Sequence, residues 1–339
     1  MKAMKRETVE VPSRAKAGPA DPRRRARRMA ANQADSMPVV EALAERHERD
    51  VQAELIDPAP VGGLMEVFQQ RYVLKLLVQR QLAAMYAASV LGLLWSYVQP
   101  AMRFGVYYIV MGVIINLHRG TPYFALHLFA GMVVVHYFGE TWNGGTRSIW
   151  NNKGLVQKMR MPRELFPVSA AVVAAYHTIP QVLVLLVCCL FVGWHLTFTA
   201  VAAGALGVAI LVTFSMALAL FFSAINVFYR DFQNIVSTIL TFMHFLVPMM
   251  YPFEKVWSLG VNHPWIYQIY MANPITQAVI LLQRMFWYPL VEDKSTIAGR
   301  SFPPDLYERG LITFVVCALL LWLSQRFFTR AEAKFPERL

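Results

Sequence analysis

The 339-residue chain is 56% hydrophobic and only 16% charged, with a mean hydropathy of +0.40, whereas a soluble domain carries roughly 25% charged residues. That balance excludes an ordinary soluble protein and points to a polytopic membrane protein. The net charge of +11 would suit nucleic acid, but the basic residues gather in the N-terminal region and in loops between apolar stretches. That pattern orients a membrane protein, and no nucleic-acid partner is expected.

Residues 1–64 are of a different character. Arg23, Arg24, Arg25, Arg27 and Arg28 form a basic cluster, prolines recur, and 39–56 has the pattern of one acidic-basic helix. The region reads as a disordered or partly helical cytoplasmic extension, with electrostatic docking on anionic lipid as the second reading. The first apolar run comes too late for a cleavable signal peptide. From Met65 to Ser89 the pattern is helical and amphipathic. Val67, Phe68, Tyr72, Leu76 and Leu77 fall on one side, and Arg71, Lys75 and Arg80 on another. The segment Arg80 to Trp95 then passes without a break into an apolar run containing Pro100. This predicts an interfacial helix that turns and enters the membrane.

About 20 apolar residues are needed to span a bilayer, and six stretches qualify: about 93–117, 123–142, 167–193, 199–226, 233–253 and 311–328. Pro100, Pro180 and Pro248 lie inside spans, where neighbouring helices satisfy the freed carbonyls. Cys188, Cys189 and Cys317 also fall in apolar stretches and read as small packing residues, not as a disulfide or metal site. Arg147, Lys153, Lys158, Arg160 and Arg163 oppose one acid, Glu164, in the loop after the second span. Arg326, Arg330, Lys334 and Arg338 follow the last span. Both segments are therefore expected in the cytoplasm, giving N-in and C-in. The 254–310 segment is balanced: Lys255, Arg284, Lys294, Arg300 and Arg309 against Glu254, Glu292, Asp293, Asp305 and Glu308. Within it, 263–290 is too apolar for a plain loop. A seventh span there would place the basic C-terminal tail outside, so two short re-entrant helices broken at Asn273-Pro274 are expected. The predicted fold is thus all-α and polytopic. It has a membrane domain over 65–330, six transmembrane helices, an N-terminal amphipathic interfacial helix, short re-entrant helices between spans five and six, and a cytoplasmic tail over 331–339.

Several segments, in order over about 66–328, resemble the ABC-2 permeases that export O-antigen, capsule, teichoic acid and galactan. They are the Arg80–Trp95 helix with Pro100; Leu126-His127-Leu128-Phe129-Ala130-Gly131 leading to Tyr137-Phe138; and a loop with Ser148-Ile149, Asn152, Leu155-Val156 and Lys158. That loop ends in Pro162-Arg163-Glu164-Leu165-Phe166-Pro167-Val168-Ser169. Then come Asn226-Val227-Phe228-Tyr229-Arg230-Asp231, Pro248-Met249-Met250-Tyr251-Pro252, and Asn273-Pro274-Ile275-Thr276 with Arg284. Met85 and Gln81 stand where that family usually has a basic and an acidic residue.

The resemblance implies a permease subunit, not an enzyme, in the bacterial plasma membrane. It would pair with a second copy of itself and two copies of an ABC ATPase. No P-loop is present in the chain, so ATP and magnesium would sit on the ATPase and no cofactor or metal here. The implied cargo is a glycan on a polyprenyl diphosphate, drawn from membrane lipid. A diphosphate calls for cations: Arg71, Lys75 and Arg80 lie at headgroup depth, and Arg103 lies inside the first span. An intramembrane cation is a candidate site, with snorkelling or a carbonyl partner as the alternative. Sugars call for aromatic faces, and Tyr97, Phe104 and Tyr108 share a stripe while Phe242, Phe245 and Tyr251 come from the fifth span; interhelical packing is the other reading. The basic loop, with a helix-compatible run from Leu155 to Met161, supplies the candidate ATPase-coupling residues Lys153, Leu155, Lys158, Met159, Arg160, Pro162, Arg163 and Glu164. Arg230-Asp231 reads first as a lock on its turn and second as an ATPase contact. Two alternatives stay open: an ABC-2 exporter of drugs or small lipids, and a membrane-embedded glycosyl- or acyltransferase. The second would want paired carboxylates or a His/Asp set. In sequence Glu140 and Asp231 stand alone, and His127, His136, His177 and His244 are scattered, so no catalytic residue is assigned.

Overall fold

The computed structural model describes residues 63–87, 89, 92–159, 161–291 and 302–338, and all of their regular structure is helical. The basic cluster Arg23–Arg28, the 39–56 helix, Arg160, Glu292, Asp293, Lys294 and Arg300 lie outside the described residues. The amphipathic segment is two helices, α1 (Gly63–Gln69) and α2 (Arg71–Tyr86), meeting at Gln70, which has left the helical region at φ −94°, ψ 34°. Its apolar side also divides. Val67 and Leu77 are buried among Leu165, Phe166, Leu220 and Phe328, while Phe68, Tyr72 and Leu76 stay exposed.

A 3₁₀ turn at Gly92–Leu94 leads into α3 (Trp95–Tyr107), which continues as a π-helical segment, Tyr108–Ile114. The sequence foresaw a helical stretch of about this extent but not the change of winding within it. Next come α4 (Phe124–Asn151), α5 (Lys153–Lys158), α6 (Leu165–Phe191), α7 (Phe198–Phe228) and α8 (Phe232–Leu246). Among the described residues, three helices are long and apolar enough to cross a membrane: α6, α7 and the later α12 (Leu306–Glu332). At 28 residues α4 extends roughly 42 Å, but His127, His136, Glu140, Asn143 and Arg147 dilute its apolar content. It is a central helix, packed on α6, α7 and α8.

Helix α8 has 15 residues, or roughly 22 Å against a hydrocarbon core of about 30 Å. The fifth predicted span therefore loses its helix in its last third. Val247 is extended at φ −111°, ψ 146°, the conformation favoured before a proline. The chain passes through buried Met249 and Met250 into α9 (Phe253–Asn262), a helix the sequence reading did not anticipate. The predicted break at Asn273-Pro274 is present. It separates α10 (Pro264–Ala272) from α11 (Pro274–Phe286), and Asn273 Oδ1 accepts from the Ile275 amide at 3.0 Å. Asn as N-cap with Pro in the first helical turn is a strong start signal.

Helix α11 is wedged between α4, α7 and α12, and its buried amides are partly matched to carbonyls. Gln283 Nε2 donates to Pro248 O at 2.9 Å, and Gln277 Nε2 to Met271 O at 2.9 Å. Small residues permit this packing. A Cβ on Gly145 of α4 would lie 2.5 Å from that of Ala219 on α7, so the two backbones meet as small-residue interfaces in membranes do. Beyond α12, the short helix α13 (Phe335–Arg338) folds back, and Phe335 is fully buried against Phe328 and Phe228.

Candidate functional site

Where α2 ends and α3 begins, the chain must turn, and the turn leaves a cavity of about 360 Å³. Met85 and Tyr86 of α2, Trp95, Ser96 and Gln99 of α3, His136 and Glu140 of α4, and His177 of α6 line it. A narrower cleft shares Pro100 and His136 with it and adds Arg103, Gln181 of α6 and His244 of α8. Arg103 is close enough to His136, Glu140 and His244 for their charges to interact. The histidines and the acid that look scattered along the sequence, His136, His177, His244 and Glu140, are therefore neighbours around one polar crevice. His127 is apart, buried against Phe124 and Trp287.

The mouth of the crevice is tied by Tyr86. Its hydroxyl bonds to His177 Nε2 at 2.9 Å and to Ser96 Oγ, joining α2, α3 and α6. Gln81 donates to Ser169 Oγ at 3.0 Å, a second tie from α2 to α6. An acid at Gln81 would lack that N–H donor, so the departure from the family pattern has a structural consequence. Met85 leaves the rim apolar and exposed. The crevice thus offers one permanent cation, imidazoles, side-chain amides and hydroxyls as hydrogen-bond donors, with one carboxyl group opposing them. That donor set suits an oxyanion such as a phosphate.

The remaining predicted cations, Arg71, Lys75 and Arg80, are exposed on α2 beside the exposed Phe68, Tyr72 and Leu76. Aromatics and cations side by side suit a lipid headgroup region. The predicted aromatics divide. Phe104 stacks on Tyr108 and packs edge-on against Phe129, so these two rings face the protein, while Tyr97, Phe242 and Phe245 are exposed. Tyr251 donates to Phe245 O at 3.0 Å and meets the Tyr270 hydroxyl at 3.1 Å.

At the C-terminal end of α4 the predicted loop divides as well. Its helix is α5, which begins at Lys153 and stops at Lys158; Met159 is extended at φ −118°, ψ 136°. Lys153, Lys158 and Met159 are exposed, Leu155 is half-buried, and Val156 is the buried anchor. Pro162, Arg163 and Glu164 are turned inward. Arg163 donates to Glu332 O, approaches the Glu332 carboxyl at 3.7 Å and lies over Phe335, while Glu164 accepts from Gln325 at 2.8 Å. Arg163 and Glu164 fasten the loop to the end of α12, and the outward surface is left to α5 and Met159.

Comparison with known proteins places this geometry in context. The family model described as "ABC-2 type transporter" matches residues 72–287. The chain is 27% identical over 278 residues to the O-antigen export system permease protein RfbA of Myxococcus xanthus, covering 81% of this chain and 98% of that one. Two proteins of the same description from Klebsiella pneumoniae are each 23% identical, over 266 and 254 residues. They cover 75% and 72% of this chain and 93% and 88% of their own.

Proposed function

The chain belongs to the ABC-2 type transporter family, and on that premise we propose that it is the membrane subunit of an ATP-driven exporter of a lipid-linked polysaccharide. The observation that carries the reading is the polar crevice between the amphipathic helices and the bundle, on a chain similar along most of its length to O-antigen export permeases. The diphosphate of a polyprenyl carrier lands among Arg71, Lys75 and Arg80 and engages Arg103, while the glycan follows Tyr97, Phe242, Phe245 and Tyr251. The subunit works as a homodimer with two ATPase chains, to which α5 and the residue after it present Lys153, Leu155, Lys158 and Met159. It crosses the bacterial plasma membrane six times, with both termini in the cytoplasm. The chain itself performs no catalysis. Depletion in the native host tests the proposal: surface polysaccharide should fall and its lipid-linked form should accumulate on the cytoplasmic side. Unchanged surface polysaccharide would exclude the reading. A topology reporter after Gly154 should read cytoplasmic and one at His263 external; the same side for both would remove the six-crossing arrangement.

A further inference from the structure

The last turn of α4 carries Trp150, a half-buried indole where the helix hands over to α5. Two cations from different segments converge on it. Lys153, the first residue of α5, holds its Nζ 5.0 Å from the ring centroid, and the Arg230 guanidinium carbon lies 3.5 Å from it. Arg230 belongs to the turn between α7 and α8, where the Asn226 side chain, itself buried, accepts from the Gln233 amide at 3.2 Å and fixes the start of α8. The guanidinium is at stacking distance from an indole, the aromatic that binds cations most strongly. Arg230, which the sequence offered as a lock on its own turn or as an ATPase contact, is placed on the aromatic face of α4's end.

We propose that Trp150 is a positioning residue of the transport cycle: clasped between Lys153 and Arg230, it makes a displacement of α5 move the start of α8. This rests on the reading of the chain as an ATPase-coupled exporter. Helix α8 carries Phe242, Phe245 and the crevice residue His244, so the clasp links the cytoplasmic surface to the helix that borders the crevice. A link of this kind is shown by energetic coupling between its members, not by proximity alone.

The test uses the full complex with its ATPase, reconstituted in vesicles, and measures glycan exported per ATP hydrolysed. Trp150→Ala and Arg230→Gln should each keep ATP hydrolysis while export per ATP falls roughly two- to fivefold, the range of an exposed cation–aromatic contact. The double variant should be no worse than either single one, because both remove the same interaction. Trp150→Phe should restore part of the loss, which a general packing defect would not predict. Wild-type export per ATP in Trp150→Ala, or losses that multiply in the double variant, would overturn the proposal. If Trp150→Ala fails to assemble, Arg230→Gln decides alone, since Arg230 is exposed. Wild-type complex without ATP-dependent export would instead refute the exporter reading.

Discussion

Replacing Arg103 by Gln separates a substrate cation from one merely tolerated in the membrane. A cation at mid-helix costs about 2.5–3.5 kcal/mol on insertion scales, so Arg103→Gln should insert at least as well as wild type. Arg103 faces a cleft shared with His136, Gln181 and His244, where a phosphate oxygen would gain a charge-assisted hydrogen bond. Such a bond contributes about 1.5–3 kcal/mol, or roughly 10- to 150-fold in apparent affinity at a tenfold per 1.4 kcal/mol. Glycan export in inverted membrane vesicles should therefore require that much more lipid-linked substrate, and Arg103→Lys should keep part of the activity. Glu140 provides a control of opposite sign. Its carboxyl shares the crevice and interacts with Arg103, so Glu140→Gln removes a competing anion and should lower the apparent KM. Wild-type export by the Arg103→Gln variant, or equal losses in both variants, would refute the assignment of the crevice to an anionic headgroup.

Two further outcomes follow from packing and exposure. Gly145→Val would set a Cβ 2.5 Å from that of Ala219 and force α4 off α7, at a cost of about 1–3 kcal/mol or more; a lower melting temperature in detergent checks this, and an unchanged one would contradict the helix contact. Leu155→Asp, at a half-buried position of α5, combined with Met159→Asp, at the exposed residue just past it, puts charge on this segment and should abolish co-purification of the ATPase while the permease still inserts; undiminished complex would remove the segment from the coupling surface.

Much of the architecture was legible because membrane helices are specified by runs of apolar residues and by Lys and Arg between them. The break at Asn273-Pro274 was legible because an N-cap followed by proline is a local signal. The short α8 was harder to foresee, since apolar content continues past Leu246 and only Pro248 marks the stop. Helix α4 was read as an ordinary span; of its polar residues His127 is buried against its neighbours, while His136 and Glu140 open onto the crevice. The candidate site was the least legible part. His136, His177 and His244 are far apart in the chain, and only the packing of α4, α6 and α8 brings His136 and His244 to Arg103 and His177 to the adjoining cavity. One signal was available: each is a polar residue within an apolar stretch, which in a membrane points toward a cavity or the bundle interior. Pro162-Arg163-Glu164 was conspicuous as a motif, but a motif does not say which way it faces, and here it grips the end of α12.

The most direct test of the account is transport by the purified complex. This chain and its ATPase, reconstituted in liposomes carrying a polyprenyl diphosphate glycan on the ATPase side, should move the glycan to the opposite leaflet only when ATP is hydrolysed. The unglycosylated diphosphate lipid should compete in wild type and lose that effect in Arg103→Gln. ATP hydrolysis with no glycan crossing, or export of an uncharged lipid at the same rate, would contradict the account.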